Sequence, residues 1–469
     1  MLNEEENQSR IYFYGFGDNM DRCIWTMRKC HLATAFIMFT CLGILFSPIY
    51  NLFSSQTVIS PKPRAAIQKP YTFSTLPCPK SRSNNSITPI KGTRYLMVSA
   101  FLTYEADGQI NILTIMNRTH FESFTCIICC DKHGLEISAV LLDKHSDHFG
   151  FPFVTTDAFC SVESTCNATH VTISRPENLL DTQSHMYLPI HKYMIHNRKF
   201  DVDFTLCISC LFGGYNNVLQ LVQTIETYKL LGVERVVIYK THSGPELEKV
   251  LQSYKEEGTL EIIPWPIHHF LEPSKGWNYE LHSGEVHYYG QQATLNDCIH
   301  RNRQRSRYVL LNDADEIIMP YQHASLRQLM EELQGQQPDV ATFIFQTHVF
   351  SKNVANGSAR FDLPQWRHVP GINILRHIHR EPIRWFVNNP SKMIVNPRKV
   401  VQTSVHHVVK SSGRTLHVPN NLAIVLHTAK PQQPDLTFEK LIMDRKIWEF
   451  AERLIPNVNK ILQKSGLLN

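Results

Sequence analysis

The chain has 469 residues, 43% hydrophobic and 19% charged, a composition that folds and does not favour disorder. That length exceeds one ordinary domain, so two folded units plus linkers are expected. A net charge of +5 is small for this size and gives no reason to expect nucleic acid as a partner.

The first predicted element is a membrane span. Leu32 to Phe53, "LATAFIMFTCLGILFSPIYNLF", holds no charged residue. As a helix it would cover about 33 Å at ~1.5 Å per residue, enough for a bilayer core. Arg22, Arg28 and Lys29 precede it, and the next basic residue is Lys62. That asymmetry puts residues 1–31 in the cytosol and the rest across the membrane. A cleaved signal peptide would have a shorter apolar region and a small-x-small site, so an uncleaved anchor is preferred. Sequons at Asn84, Asn117, Asn167 and Asn356 all lie beyond the span, as do nine of the twelve cysteines. Both features suit a lumenal body in which disulfides persist. Nine is odd, so at least one cysteine is free or paired between chains, and a homodimer is admitted.

Residues 54–93 are rich in Ser, Pro, Thr and Lys and read as an extended stem. Residues 94–200 carry the short runs "YLMVSAFL", "INILTIMN", "FTCIICC", "EISAVLL" and "HVTIS". Five such strands with interspersed cysteines predict a small antiparallel β-sandwich closed by disulfides. It is read as a packing or spacer domain, with carbohydrate binding as the alternative.

From residue 201 the rhythm changes. "FTLCISCLF" is an apolar strand, and apolar residues at Val218, Leu221, Val222, Ile225, Tyr228 and Leu231 mark a helix that Gly232 ends. "ERVVIYK" is a strand, and a second helix runs from an N-cap at Ser243 to a stop at Gly258. "TLEIIPW", a helix over residues 291–304 and "RYVLLND" complete an alternation that predicts a mostly parallel α/β sheet over residues 201–469. On a strand, Cys207 and Cys210 point to opposite faces, which argues against a shared zinc. No GxGxxG or GxxxxGK[ST] motif occurs.

In such sheets ligands bind where strands end. "FGGY" (Phe212, Gly213, Gly214, Tyr215) follows the first strand, and Asp313-Ala-Asp315-Glu316 follows the fourth. Acids beside a core need compensation. A DxD turn can converge two carboxylates on Mn²⁺ or another divalent cation, which in turn would bridge a nucleotide diphosphate.

"CISCLFGGYNNVLQLVQTIETYKLLGVERVVIYKTHSGPELEKVLQSYKEEGTLEIIPW", "GQQATLNDCIHRNRQRSRYVLLNDADEIIMP", "SKMIVNPRKVVQTSVHHV" and "LAIVLHTAK" together resemble the family 92 glycosyltransferases over about residues 94–455. The resemblance implies a GT-A-like fold and an inverting, metal-dependent transfer of galactose from UDP-galactose to galactose or fucose on a glycan or glycoprotein, with a β-1,4 linkage. It also implies a single-pass type II protein of the Golgi membrane. By the same resemblance Asp313 serves the ribose or metal, Asp315 is the main metal ligand and His427 completes the site. Lys392 would meet the diphosphate, Phe212 to Tyr215 would bed the nucleotide, and Glu316 would support. Family members often continue the His427 motif with Tyr-Arg, where this chain has Thr428-Ala429.

Inverting transfer needs a base for the acceptor hydroxyl, and Glu381 and Asp362 are the candidates, with Trp366 and Trp385 as sugar platforms. The alternative reading is a non-catalytic type II surface protein that binds glycans through a degenerate transferase domain. A hydrolase using these acids lacks the paired His spacing it would need.

Overall fold

The computed structural model describes residues 71–73, 77–103, 108–120, 122–131, 134–179, 181–192, 199–354, 359–384 and 389–468. The predicted span at 32–53, Asn356 and Trp385 lie outside them. No helix among the described residues is long and apolar enough to cross a membrane. All described residues belong to one compact unit, Ile67–Asn469.

The N-terminal sheet is a closed barrel and not a sandwich. Its seven main strands are β1 (Leu96–Thr103), β2 (Gln109–Asn117), β3 (Thr125–Asp131), β4 (Gly134–Lys144), β5 (Phe153–Ser161), β6 (Asn167–Ser174) and β7 (Leu188–Lys192). They run in the order β4-β3-β6-β7-β1-β2-β5, and β5 pairs back onto β4. Closure removes both edges, which a sandwich would leave open. Two strands escape the sequence reading, β7 and β5. In β5 the run "VTTDA" has no apolar alternation, yet it is buried, because Asp157 is satisfied inside. Its carboxylate accepts from Asn111 Nδ2 at 3.1 Å and Gln402 Nε2 at 2.9 Å, and lies 3.1 Å from His145 Nε2.

Three disulfides, Cys78–Cys129, Cys126–Cys160 and Cys130–Cys166, staple the barrel. A fourth, Cys207–Cys298, ties the first strand of the second sheet to a helix, and Cys210 stays free. The odd count is met, but the opposed faces expected from "LCISCLF" are not, because a bulge between Ile208 and Leu211 breaks the alternation and Cys210 packs against the same cluster as Cys207.

The second sheet begins with β8 (Val202–Leu211), β9 (Arg235–Lys240), β10 (Leu260–Pro264) and β11 (Ser306–Asn312), parallel in the order β10-β9-β8-β11. Helices α1 (Val218–Leu230), α2 (Pro245–Glu256) and α3 (Gln291–Asn302) connect them. Gly232, at φ 101°, ends α1 as expected. The residue capping α2 is Gly244, because Pro245 opens the helix, and Ser243 instead bonds Glu248 Oε1 at 2.5 Å. Beyond β11 the sheet is mixed, which corrects the mostly parallel expectation. β12 (Glu316–Pro320), β13 (Val340–Ser351), β14 (Ser391–Val395) and β15 (Ala423–Ala429) follow, and β14 is antiparallel to both β11 and β13. α4 (Leu326–Gln336) and α5 (Ala451–Lys464) complete the fold.

The composition shift near residue 200 marks the change of architecture, and the two sheets pack together. One hydrophobic core runs from Val98 and Ile112 of the barrel to Cys207, Val309 and Leu295 of the α/β part. Asp297 on α3 braces the junction, accepting from Ser99 Oγ at 2.5 Å, Tyr239 OH at 2.6 Å and Arg301 Nε at 2.6 Å.

Candidate active site

Strand order reverses between β8 and β11, and the acids lie at the carboxyl edge of that switch point. Tyr228 of α1 fixes both ends of the acid turn. Its hydroxyl accepts from Asn312 Nδ2 and from the Ile318 N–H, each at 2.8 Å. Glu316 then returns as β12, directly opposite His427 on β15. That register carries His427 to the acids across more than a hundred residues of chain. Its Nε2 lies 3.4 Å from Asp315 Oδ2, and its Nδ1 is 3.7 Å from Glu316 Oε1. Burial alone would depress the imidazole, but the Asp315 and Glu316 carboxylates hold it up at about 9.

Asp313 and Glu316 point to a different partner. Lys392 Nζ lies 2.6 Å from Asp313 Oδ2 and 3.0 Å from Glu316 Oε2. The antiparallel pairing of β14 with β11, Met393 opposite Leu311, places Lys392 beneath the turn. Lys392 is only 2% exposed, so it is an internal counter-ion and not the diphosphate contact expected of it. Burial opposes its charge, and the two carboxylates override that and raise its pKa. Desolvation raises the Asp313 carboxyl, yet the Lys392 ammonium brings it below the usual range. For Glu316 burial wins and its pKa is raised. Glu316 also accepts the Asp313 N–H at 3.2 Å.

The other oxygen of Asp313 is engaged too. Oδ1 accepts from Gln291 Nε2 at 3.2 Å, and Gln291 also donates to Ser209 Oγ at 2.9 Å. Asp313 is thus held by Lys392 and Gln291 though its side chain is 40% exposed, and Asp315, 31% exposed, faces His427.

Beside the acids, Gly213 (φ 61°) and Gly214 (φ 69°) turn the "FGGY" loop through a conformation that side chains resist. Phe212 stacks on Tyr289, centroids 4.2 Å apart. Tyr288, Tyr289 and Gly290 are all at positive φ just before α3, a strained run the sequence reading missed. Its signal was "YYG" abutting a helix start.

Of the two nominated acids, Glu381 stands one strand from His427, its N–H donating to Val349 O at 2.8 Å and Val349 pairing with His427. Glu381, 4% exposed, accepts the Gln432 N–H at 2.9 Å and Gln433 Nε2 at 3.4 Å, so it braces the loop that follows His427. Asp362 lies 3.8 Å from Arg367 and 3.7 Å from Arg376 in a surface ion pair. Trp366 is core, 4% exposed and bonded to Asn459 Oδ1 at 2.7 Å, and is no sugar platform.

Residues 202–461 match the family model for glycosyltransferase family 92. The chain belongs to glycosyltransferase family 92. The matched segment opens with β8 and closes within α5, so it contains every acid, lysine and histidine of this edge. Among curated proteins of Caenorhabditis elegans, the β-1,4-galactosyltransferase galt-1 is 24% identical, over 52% of this chain and 54% of its own. Glycosyltransferase family 92 protein F13G3.3 is 25% identical, over 51% of this chain and 44% of its own. The chain spans about half the length of these relatives. A solved structure of GalNAc-T7 with UDP, GalNAc and Mn²⁺ is 10% identical, covering 58% of this chain and 49% of that one at a TM-score of 0.27.

Proposed function

We propose that this family 92 chain is a metal-dependent inverting glycosyltransferase. It moves galactose from UDP-galactose to a galactose or fucose residue of a glycan, forming a β-1,4 linkage. The observation that carries the reading is the Asp315–His427 pair, 3.4 Å apart at the carboxyl edge of β11. One carboxylate oxygen from the turn and one imidazole nitrogen from β15 form a donor set that suits Mn²⁺. A divalent cation bound there would neutralise the charge of the departing diphosphate. The galactose donor is carried by the family and by the name of one relative. A GT-A-like arrangement is part of the same proposal, supported by the parallel β10-β9-β8-β11 core.

The chain's own residues then divide the work. Lys392 and Gln291 hold Asp313 at the rim, where its outer edge would meet the ribose or the metal. Gly213 and Gly214 let the backbone approach a nucleotide closely, and the Phe212–Tyr289 stack walls that side. We place the protein in the Golgi membrane as a type II protein, anchored by residues 32–53, with this site in the lumen.

The test is transfer from a panel of UDP-sugars with Mn²⁺, comparing the wild-type chain with Asp315→Ala and His427→Ala. Loss of transfer with UDP-galactose in both variants is expected. Undiminished transfer by Asp315→Ala would remove the metal site from the reading. Metal-dependent UDP-sugar binding without turnover on any acceptor would favour the non-catalytic glycan-binding alternative.

A further inference from the structure

The carboxylates of Glu381 and Asp362 are taken up by a loop and by surface arginines, which leaves the acceptor proton without an obvious recipient. His406 stands at the same edge. It lies at the tip of a hairpin whose strands, Val400–Thr403 and Val408–Ser411, pair antiparallel. The tip is pinned from several sides. Asn296 of α3 accepts the Thr403 N–H at 2.9 Å and donates to Thr403 O at 2.8 Å. Ser404 Oγ bonds Asp147 of the barrel loop, and Ser391 Oγ donates to His406 O at 3.1 Å. A rigid mount therefore presents His406, an exposed residue, with its ring turned back against Ser391.

The ring itself has a fixed polarity. His406 Nδ1 lies 2.9 Å from Ser391 O. A carbonyl only accepts, so Nδ1 carries the proton and Nε2 is the basic nitrogen of the neutral ring. Ser391 immediately precedes Lys392, which grips Asp313, so the imidazole is anchored one residue from the acid turn's counter-ion. Desolvation and the Lys392 ammonium depress its pKa, the Asp313 carboxylate and the Ser391 carbonyl oppose them, and the ring stays neutral near pH 7. His407 adds to the depression, and His287 faces it from the segment before α3.

We propose that His406 is the general base of the transfer, Nε2 taking the proton of the acceptor hydroxyl. This rests on the glycosyltransferase reading above. In the step, the hydroxyl oxygen forms a bond to the donor sugar's anomeric carbon as its proton passes to Nε2. The bond from that carbon to the β-phosphate oxygen breaks with its electron pair leaving on UDP. The imidazolium then returns its proton to water.

The experiment compares the full-length wild type, His406→Ala, His406→Asn and Glu381→Gln in galactose transfer with Mn²⁺, alongside calorimetric binding of UDP with Mn²⁺. Asparagine can still donate to Ser391 O, so it keeps the hairpin while lacking a base. Both His406 variants should lose about 10²–10⁴-fold in kcat with the KM for UDP-galactose changed by no more than about twofold. Free imidazole should restore part of the activity to His406→Ala and none to Glu381→Gln. If His406→Asn keeps kcat within about threefold of wild type, or if imidazole rescues nothing, His406 is not the base. If UDP with Mn²⁺ still binds in that case, the donor-site reading survives the loss of the base. A wild-type chain that binds no UDP with Mn²⁺ and turns over no UDP-sugar overturns the transferase reading and the base with it.

Discussion

Lys392 reaches Asp313 across 79 positions of sequence, its Nζ 2.6 Å from Oδ2. It also lies 3.0 Å from Glu316, and both of those side chains are 3% exposed. The acid turn is therefore compensated from within before any metal arrives. Replacing Lys392 with Met should strand a buried carboxylate and cost about 3–5 kcal/mol of stability. Urea unfolding of Lys392→Met and of Lys392→Met with Glu316→Gln checks this. The double variant should recover a large part of the loss, and no recovery would mean the ammonium is not a counter-ion to Glu316.

The Asp315–His427 pair predicts how metal affinity follows pH. The carboxylates hold the metal-free imidazole protonated up to about pH 9, and a metal must displace that proton. Apparent Mn²⁺ affinity should rise toward about tenfold per pH unit from pH 6 to 8. Calorimetry in buffers of different ionisation heat should record about one proton released per metal bound at pH 7. Affinity that is flat with pH would place the metal away from His427.

Stability should fall in mild acid for a separate reason. Burial holds His287 and His300 down to about 4, each opposed by a nearby aspartate, against an ordinary value near ~6.5 in the unfolded chain. Between those values the unfolded state binds more protons, so stability rises with pH and is lost as pH falls from about 6.5 toward 4. The slope approaches ~1.4 kcal/mol per pH unit for each histidine. Urea midpoints at pH 7.5, 6 and 5 test it, and a His300→Gln variant should show a shallower slope.

The Cys207–Cys298 bridge closes a separation of 91 residues between β8 and α3, the two elements that supply Ser209 and Gln291. Removing it with Cys207→Ala and Cys298→Ala should cost about 2–5 kcal/mol. Alkylation of the unreduced, denatured chain followed by peptide mass spectrometry should label Cys210 and leave Cys207 and Cys298 unmodified. Labelled Cys298 would contradict the pairing.

Much of this molecule is local and so legible in sequence. The α1 helix follows from apolar spacing and Gly232, and β8 to β11 from runs between turn residues. The acid turn's place at a strand's end follows from the βαβ rhythm. What failed was non-local. β5 hides because Asp157 is buried among Asn111, His145 and Gln402, partners that only closure of the barrel assembles. Lys392 reads as a diphosphate contact by resemblance until the antiparallel placement of β14 buries it beneath Asp313. Glu381 reads as a base until the loop after His427 folds over its carboxylate. Sequence determines which side chains are present and the period that places them on helices and strands. Tertiary pairing decides which charges meet and which are shut away from water, because ion pairs and desolvation act over ångströms of space and are indifferent to distance along the chain.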